Sequence, residues 1–397
     1  MEKEKFEEIL TRGVANVYPS KEALEKVLLS GKKLKLYQGF DPTGIKLHIG
    51  HMAGLQKLKQ WQNLGHEVIF LIGDGTGQAG DPSGKARSRD KYLTNKELRE
   101  NAKDYVMQAG RIVKFDGPNP AKILYNGEWL NKLGLVDILN IADNFTLQQL
   151  EERDLYVKRK KDGAPINMRE FLYPLLQAYD SVAMEVDLEL GGDDQTFNML
   201  CGRDLVKKML GKEKFVMTTP LLTDATGKKI GKTEGNVIAL DSAPNDFFGM
   251  IMSLPDEVIV SCFEYITDVD MSEIEQIKNE IDGGSNPMKF KKRLAFELTK
   301  ALNDEISARK AQENFENVFS KKEMPEQIEE KEVDSKNIID LIVEISFAGS
   351  KSDARRLLEQ GGVKIDDKVA GIEKIFKTGD SFVIRVGKLK FARVTVR

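Results

Sequence analysis

Residues 66–72, His-Glu-Val-Ile-Phe-Leu-Ile, form an almost unbroken apolar run closed by Gly73. A run this short and this apolar reads as a strand buried on both faces, which requires a sheet with helices on either side. Its neighbours agree. Residues 34–38 read as a strand ending at Gly39, and residues 50–64 repeat apolar side chains at helical spacing through Met52, Leu55, Leu58 and Trp61. Strand, helix, strand in that order is a crossover between parallel strands.

The alternation continues with helices expected over 101–113 and 169–179, a strand over 186–190 and a helix over 195–210. The first part is therefore expected to be an α/β domain, a Rossmann-like parallel sheet with ligands at the carboxyl ends of its strands. Beyond Pro244 the pattern is helical, with candidates over 246–252, 272–281 and 287–318. Residues 320–332 are charged and poor in apolar side chains, which predicts a linker. A small α+β unit follows, with helices over 338–345 and 352–360 and strands over 363–365, 381–386 and 392–396. The expected division is three domains, at 1–240, 241–330 and 336–397.

Composition adds two constraints. The opening residues are charged, no apolar run is long enough to span a bilayer, and Cys201 and Cys262 lie far apart. These features predict a cytoplasmic protein with no membrane segment, no disulfide and no cysteine-held metal. The net charge of −3 conceals an asymmetry, since 13 Lys and Arg against 8 Asp and Glu lie between Lys336 and Arg397. A basic tail on an acidic body suits contact with nucleic acid.

Two motifs carry chemistry. After the first strand comes Gly39-Phe40-Asp41-Pro42-Thr43, then His48-Ile49-Gly50-His51 at the start of a helix. A helix start presents free N–H groups and the positive end of its dipole, which favours phosphate. His48 and His51 are three apart and share a face, and two of the chain's three histidines lie in this tetrapeptide. The second motif, Thr226-Gly227-Lys228-Lys229-Ile230-Gly231-Lys232-Thr233, sets lysines among glycines in a loop. Alone, such a loop is most often a solvated turn.

Together the motifs resemble the signatures of class I aminoacyl-tRNA synthetases. His48–His51 is identical to their HIGH sequence, and residues 229–233 look like a variant of KMSKS that differs at Ile230, Gly231 and Thr233 while keeping both lysines. The resemblance implies ATP, with Mg2+ accompanying its phosphates rather than held in a protein cage. Thr43, His48 and His51 would stabilise the transferring phosphoryl group, and Lys229, Lys232 and Thr233 would close over the pyrophosphate. Asp41, Gly50, Gly192, Asp194 and Lys232 would hold the rest of the nucleotide.

A dispersed polar set resembles bacterial-type tyrosyl-tRNA synthetases from Tyr37 to about Asn236. Tyr173, Gln177 and Asp180 fall on one helix face, between Gly80-Asp81-Pro82-Ser83-Gly84-Lys85 and Gly191-Gly192-Asp193-Asp194-Gln195. The resemblance implies that Tyr37 and Asp180 grip a phenolic hydroxyl, that Asp81, Tyr173 and Gln177 bind an ammonium group, and that Gln195 orients a carboxylate. It assigns Asp193 no role. Residues 349–365 resemble an S4-type RNA-binding module, in which Lys351, Arg355 and Arg356 would face tRNA(Tyr) phosphates and Ser352 could cap the helix. A homodimer is implied as well. The tryptophanyl sister family is disfavoured by Tyr37, Asp180 and the tail. A paralogue reduced to RNA binding would be marked by loss of the histidines or loop lysines, and a small-molecule adenylyltransferase would not need the tail.

Overall fold

The computed structural model describes residues 2–44, 46–81, 92–227, 229–230, 232–233, 236–320, 329–366, 368–387 and 390–397. The chain resolves into two compact units, residues 1–242 with 254–303, and residues 243–253 with 304–397. The helical stretch is thus shared between the units. No helix among the described residues is long and apolar enough to cross a membrane.

The first unit is built on a six-stranded sheet of β1 (Asn16–Tyr18), β2 (Lys35–Phe40), β3 (Glu67–Ile72), β4 (Lys122–Tyr125), β5 (Leu188–Gly192) and β6 (Phe215–Thr219). Its order is β1-β6-β5-β2-β3-β4, and every pairing is parallel except that of β1 with β6. From β2 the chain runs outward through β3 and β4, then returns to place β5 on the other side of β2. That reversal makes the β2–β5 boundary the switch point where an open parallel sheet binds ligands. A separate ribbon pairs β7 (Lys232–Thr233) with β8 (Asn236–Val237).

Helix α1 (Ile49–Asn63) follows β2 and buries Met52, Leu55, Leu58 and Trp61 completely, as their spacing requires. The helix expected over 169–179 is two pieces, Met168–Phe171 and α2 (Tyr173–Ala183). Pro174 supplies the break, since it lacks an N–H and its ring crowds the preceding turn. Helix α3 (Thr196–Leu210) packs on α2 and ends at Gly211 in the left-handed conformation. The expected helix over 287–318 divides at Asn303 into Pro287–Leu302 and Glu305–Ser320.

The second unit contains a five-stranded sheet. Its order is β11 (Lys368–Val369), β10 (Val363–Ile365), β12 (Ser381–Val386), β13 (Lys390–Val396) and β9 (Glu329–Val333). The linker reading fails at its end, because β9 pairs in parallel with β13. Charged side chains on an edge strand mimic a linker in composition. Residues 321–328 of the expected linker lie outside the described residues. Helices α4 (Ile338–Glu344) and α5 (Lys351–Glu359) cover this sheet, and Ser350, not Ser352, is the N-cap of α5. Its side chain accepts the Asp353 N–H at 3.1 Å.

Candidate active site

The carboxyl ends of β2 and β5, the start of α1 and one face of α2 enclose a cavity of about 330 Å³. The two histidines form its helix-terminal wall. His48 is the N-cap of α1, and its Nδ1 accepts the Gly50 N–H at 3.1 Å. His51 Nδ1 accepts the His48 N–H, also at 3.1 Å. This is a capping box built from two imidazoles, with ring centroids 4.0 Å apart. A neutral ring that accepts at Nδ1 carries its proton on Nε2, so each histidine remains a donor. Gly50 is required beside them, since a Cβ there would lie 2.9 Å from the His48 ring.

Asp41 lies beyond the end of β2. Its Oδ1 accepts from the Thr76 hydroxyl at 2.7 Å and its Oδ2 from the Tyr173 hydroxyl at 2.9 Å. The chain at Gly73 passes so close that a Cβ would lie 1.9 Å from Asp41 Oδ1. Burial, then the nearby carboxylates of Asp41 and Asp81, pushes the Tyr173 phenol well above its ordinary pKa, which keeps it a donor. Gln195 donates to Asp81 Oδ2 at 2.9 Å, and Arg153 approaches the same carboxylate at 3.6 Å. Residues 82–85 of that loop lie outside the described residues.

At the other end of the amino-acid set, the buried Tyr37 hydroxyl and Ser181 Oγ are 2.9 Å apart. Asp180 is also buried and receives Asn126 Nδ2 at 2.9 Å and Trp129 Nε1 at 2.8 Å. Burial raises its pKa well above the usual carboxylate range, although both donors oppose the shift. Asn126, on the loop after β4, also holds the Gly75 N–H at 2.7 Å. It lines the cavity together with Thr76 and Glu189, and none of the three stood out in the sequence.

Every amino-acid residue expected from the sequence lines the cavity, as do Asp41, Thr43, His48, Gly50, His51, Gly192, Asp194 and Lys229. Lys229 and Asp194, expected to serve different parts of the nucleotide, pair with each other at 2.6 Å. The backbones of Lys232 and Thr233 form β7, while their side chains lie outside the described residues. Lys228 and Gly231 lie outside them too. Asp193 gains a structural role: its Oδ1 accepts from Asn16 and Thr218, each at 3.0 Å, tying the end of β5 to β6 and β1. Lys351, Arg355 and Arg356 belong to α5 in the second unit.

Comparison with known proteins converges on one answer. The family model of the class I tRNA synthetases for W and Y matches residues 29–320. The chain is 42% identical to the tyrosine–tRNA ligase of Thermotoga maritima, over 98% of this chain and 96% of that one. It is 42% identical to the tyrosine–tRNA ligase of Mannheimia succiniciproducens, over 98% of each. Among solved structures, tyrosyl-tRNA synthetase of Archaeoglobus fulgidus, complexed with L-tyrosine, has the same fold at a TM-score of 0.62 and 24% identity, covering 79% of this chain and all of that one. A truncated mitochondrial tyrosyl-tRNA synthetase of Aspergillus nidulans does so at 0.67 and 22%, covering 79% and 94%. With relatives this similar along nearly their whole length, the chain belongs to the class I tRNA synthetases, in the tyrosine–tRNA ligase branch.

Proposed function

We propose that the cavity activates tyrosine with ATP, forming tyrosyl-adenylate and pyrophosphate, and that the tyrosyl group then passes to the 3′ end of tRNA(Tyr). The observation that carries the reading is the imidazole capping box, which keeps two Nε2–H donors at a helix N-terminus in the wall of a cavity that Tyr37, Asp81, Tyr173, Gln177, Asp180 and Gln195 also line.

Activation is attack of the amino-acid carboxylate on the α-phosphate, with pyrophosphate leaving. No side-chain nucleophile is needed, so positioning and donors matched to the transition state do the work. His48, His51 and Thr43 take the transferring phosphoryl group. Lys229, Lys232 and Thr233 take the pyrophosphate, while Mg2+ arrives with ATP as part of the substrate. Asp41, Gly50, Gly192 and Asp194 hold the remainder of the nucleotide. Lys229 leaves Asp194 for the phosphates, and losing a half-exposed ion pair costs at most about 1 kcal/mol.

Tyr37 and Asp180 receive the phenolic hydroxyl, Asp81, Tyr173 and Gln177 the ammonium group, and Gln195 helps to place the carboxylate. A phenylalanine side chain would bring no hydroxyl to Tyr37 and Asp180, so their remaining hydrogen-bonding capacity would be cut off from water with nothing in return, which is the means of rejecting it. A site built to hydrogen-bond a hydroxyl needs no editing step to exclude the analogue that lacks one, and this enzyme family is the established example.

In the second unit, Lys351, Arg355 and Arg356 on α5 contact tRNA backbone, in keeping with the basic excess of this segment. The chain works in the cytoplasm as a homodimer. Helix Leu135–Ala142 supports the dimer, because Leu135, Val136 and Leu139 are 72%, 67% and 56% exposed on neighbouring turns.

The deciding test is amino-acid-dependent exchange of pyrophosphate into ATP across all twenty amino acids. Tyrosine should dominate; equal exchange with tryptophan or phenylalanine would reject the assignment.

A further inference from the structure

Behind the amino-acid end of the cavity lies a buried ion pair between Glu189 of β5 and Lys214, the residue preceding β6. Lys214 has three N–H donors and three acceptors: Glu189 Oε2, Ser181 Oγ at 2.8 Å and the Met199 carbonyl at 3.3 Å. The fold makes room for the pair at Gly202 of α3. A Cβ there would lie 2.6 Å from Lys214 Nζ and 3.2 Å from Glu189 Oε2. Four separate elements thus converge on one charged contact, although a buried ion pair gains little over a well-packed apolar one.

Its connections point into the site. Glu189 and Tyr37 are directly opposite each other in the β2–β5 pairing, so both side chains leave the same face of the sheet. Glu189 Oε1 accepts from Gln177 Nε2 at 3.0 Å. A carboxylate oxygen tolerates only the amide nitrogen at that distance, so the orientation of the Gln177 amide is settled by Glu189. Gln177 Oε1 is then left buried without a hydrogen-bond partner among the described residues. An acceptor in that condition suits an ammonium group. At the other end Lys214, which cannot accept, makes Ser181 Oγ its acceptor. That leaves the serine a single proton to place between Tyr37 and Glu189 Oε2, which lies 3.4 Å away.

We infer that the Glu189–Lys214 pair is a positioning device for amino-acid selection, presenting Gln177 Oε1 to the substrate ammonium group and, through Ser181, setting the hydrogen bonding of Tyr37 toward the phenol. This deepens the tyrosine reading and rests on it. The hydrogen bonds of the pair run to Gln177, Ser181 and the Met199 carbonyl, so its influence falls on the amino acid rather than on the nucleotide.

The test is exchange kinetics of the parent, of E189Q/K214M, which removes both charges together, and of S181A, which removes only the hydroxyl. The expected result for the double variant is a tyrosine KM at least tenfold higher, a tyrosine-to-phenylalanine ratio of kcat/KM at least tenfold lower, and an ATP KM within twofold of the parent. S181A should lower the ratio alone, with little change in the dependence on the ammonium group. A K214R variant, which keeps the charge beside Glu189, should retain more of the tyrosine selectivity than E189Q/K214M. A folded double variant with the parent's tyrosine KM and ratio overturns the inference. So does S181A with an unchanged ratio, a result that can be obtained even if the double variant does not fold. A parent that shows no preference for tyrosine would instead overturn the functional reading itself.

Discussion

His51 Nδ1 accepts the backbone N–H of His48, while His48 Nδ1 accepts that of Gly50, so the two imidazoles hold one helix terminus between them. The same bonds that cap the helix leave Nε2–H as the donor on each ring. Structural and catalytic duties are therefore separable by substitution. Asparagine is among the best N-caps, so His48→Asn should keep the thermal midpoint close to that of the parent. It lacks an imidazole donor in the same place, and the exchange kcat should fall by about 10²–10³, the range for loss of one transition-state donor. Tyrosine KM should change little, because the lost contact belongs to the transition state. Melting curves and exchange kinetics on the same preparation check both halves. A collapse of tyrosine binding would make His48 a structural residue.

Tyr37→Phe removes a hydroxyl whose partner, Ser181 Oγ, lies 2.9 Å away in a fully buried setting. Selectivity for tyrosine over phenylalanine should drop by roughly tenfold or more, the scale of one hydrogen bond of about 1.5 kcal/mol. The ratio of kcat/KM for the two amino acids measures it, and an unchanged ratio would remove Tyr37 from the site.

The histidine pair at a helix start was legible because it is local, a tetrapeptide after a strand, whereas the capping box its two rings form with the backbone was not. A ligand site at the carboxyl ends of parallel strands followed from the order of apolar runs, though the strand order that puts the reversal between β2 and β5 did not, and the face of α2 followed from the spacing of Tyr173, Gln177 and Asp180. Asn126, Ser181 and Lys214 were not legible, because each reaches the site from a different element and none stands in a recognisable pattern. Glu189 left a trace. A carboxylate between Leu188 and Leu190 in a central parallel strand contradicts the burial expected there, and such a residue needs a buried cationic partner. Gly202 in mid-helix was a second trace of the same pair. Proline set the break before α2, while the pairing that turns 329–333 into a strand is non-local and invisible in composition.

His66 imposes a pH limit on the first unit. Its Nδ1 accepts the Leu34 N–H at 3.0 Å, and its ring meets Trp61 edge-on. Burial, then the charge of Lys33, brings its pKa down to about 4. A depressed histidine binds its proton more readily in the unfolded chain, so its stabilisation is complete above about pH 6.5 and declines as pH falls toward 4. About 2 kcal/mol should be lost between pH 7.5 and pH 5. His66→Asn removes that titration. Its thermal midpoint should be lower than the parent's at pH 7.5, with the gap narrowing at pH 5. A gap that stays constant would show that His66 does not govern the acid limb.

Leu139 offers a test of the dimer. It is 56% exposed on the helix Leu135–Ala142, one turn from Leu135. If this face joins two copies, Leu139→Asp places a charge in the contact and should raise the dimer dissociation constant at least 100-fold, about 2.7 kcal/mol. The folding of the subunit should be unaffected. Sedimentation or light scattering across a concentration series reads the shift, and an unaltered assembly would move the interface elsewhere.

The three basic residues of α5 are not equivalent. Lys351 pairs with Asp340 at 2.7 Å and Arg356 with Asp353 at 2.9 Å. Arg355 is exposed and has no carboxylate partner among the described residues, so its charge is the least compensated of the three. Binding tRNA phosphates through Lys351 or Arg356 must first break an internal pair, whereas Arg355 is free to bind at once. Arg355→Glu should therefore weaken aminoacylation more than either Lys351→Glu or Arg356→Glu, chiefly through a higher KM for tRNA. It should also reduce the slope of log affinity against log salt by roughly 1, as expected when one phosphate contact is lost. Tyrosine-dependent exchange, which needs no tRNA, should be unchanged in all three variants. Equal charging by Arg355→Glu and the parent would take α5 out of the RNA interface.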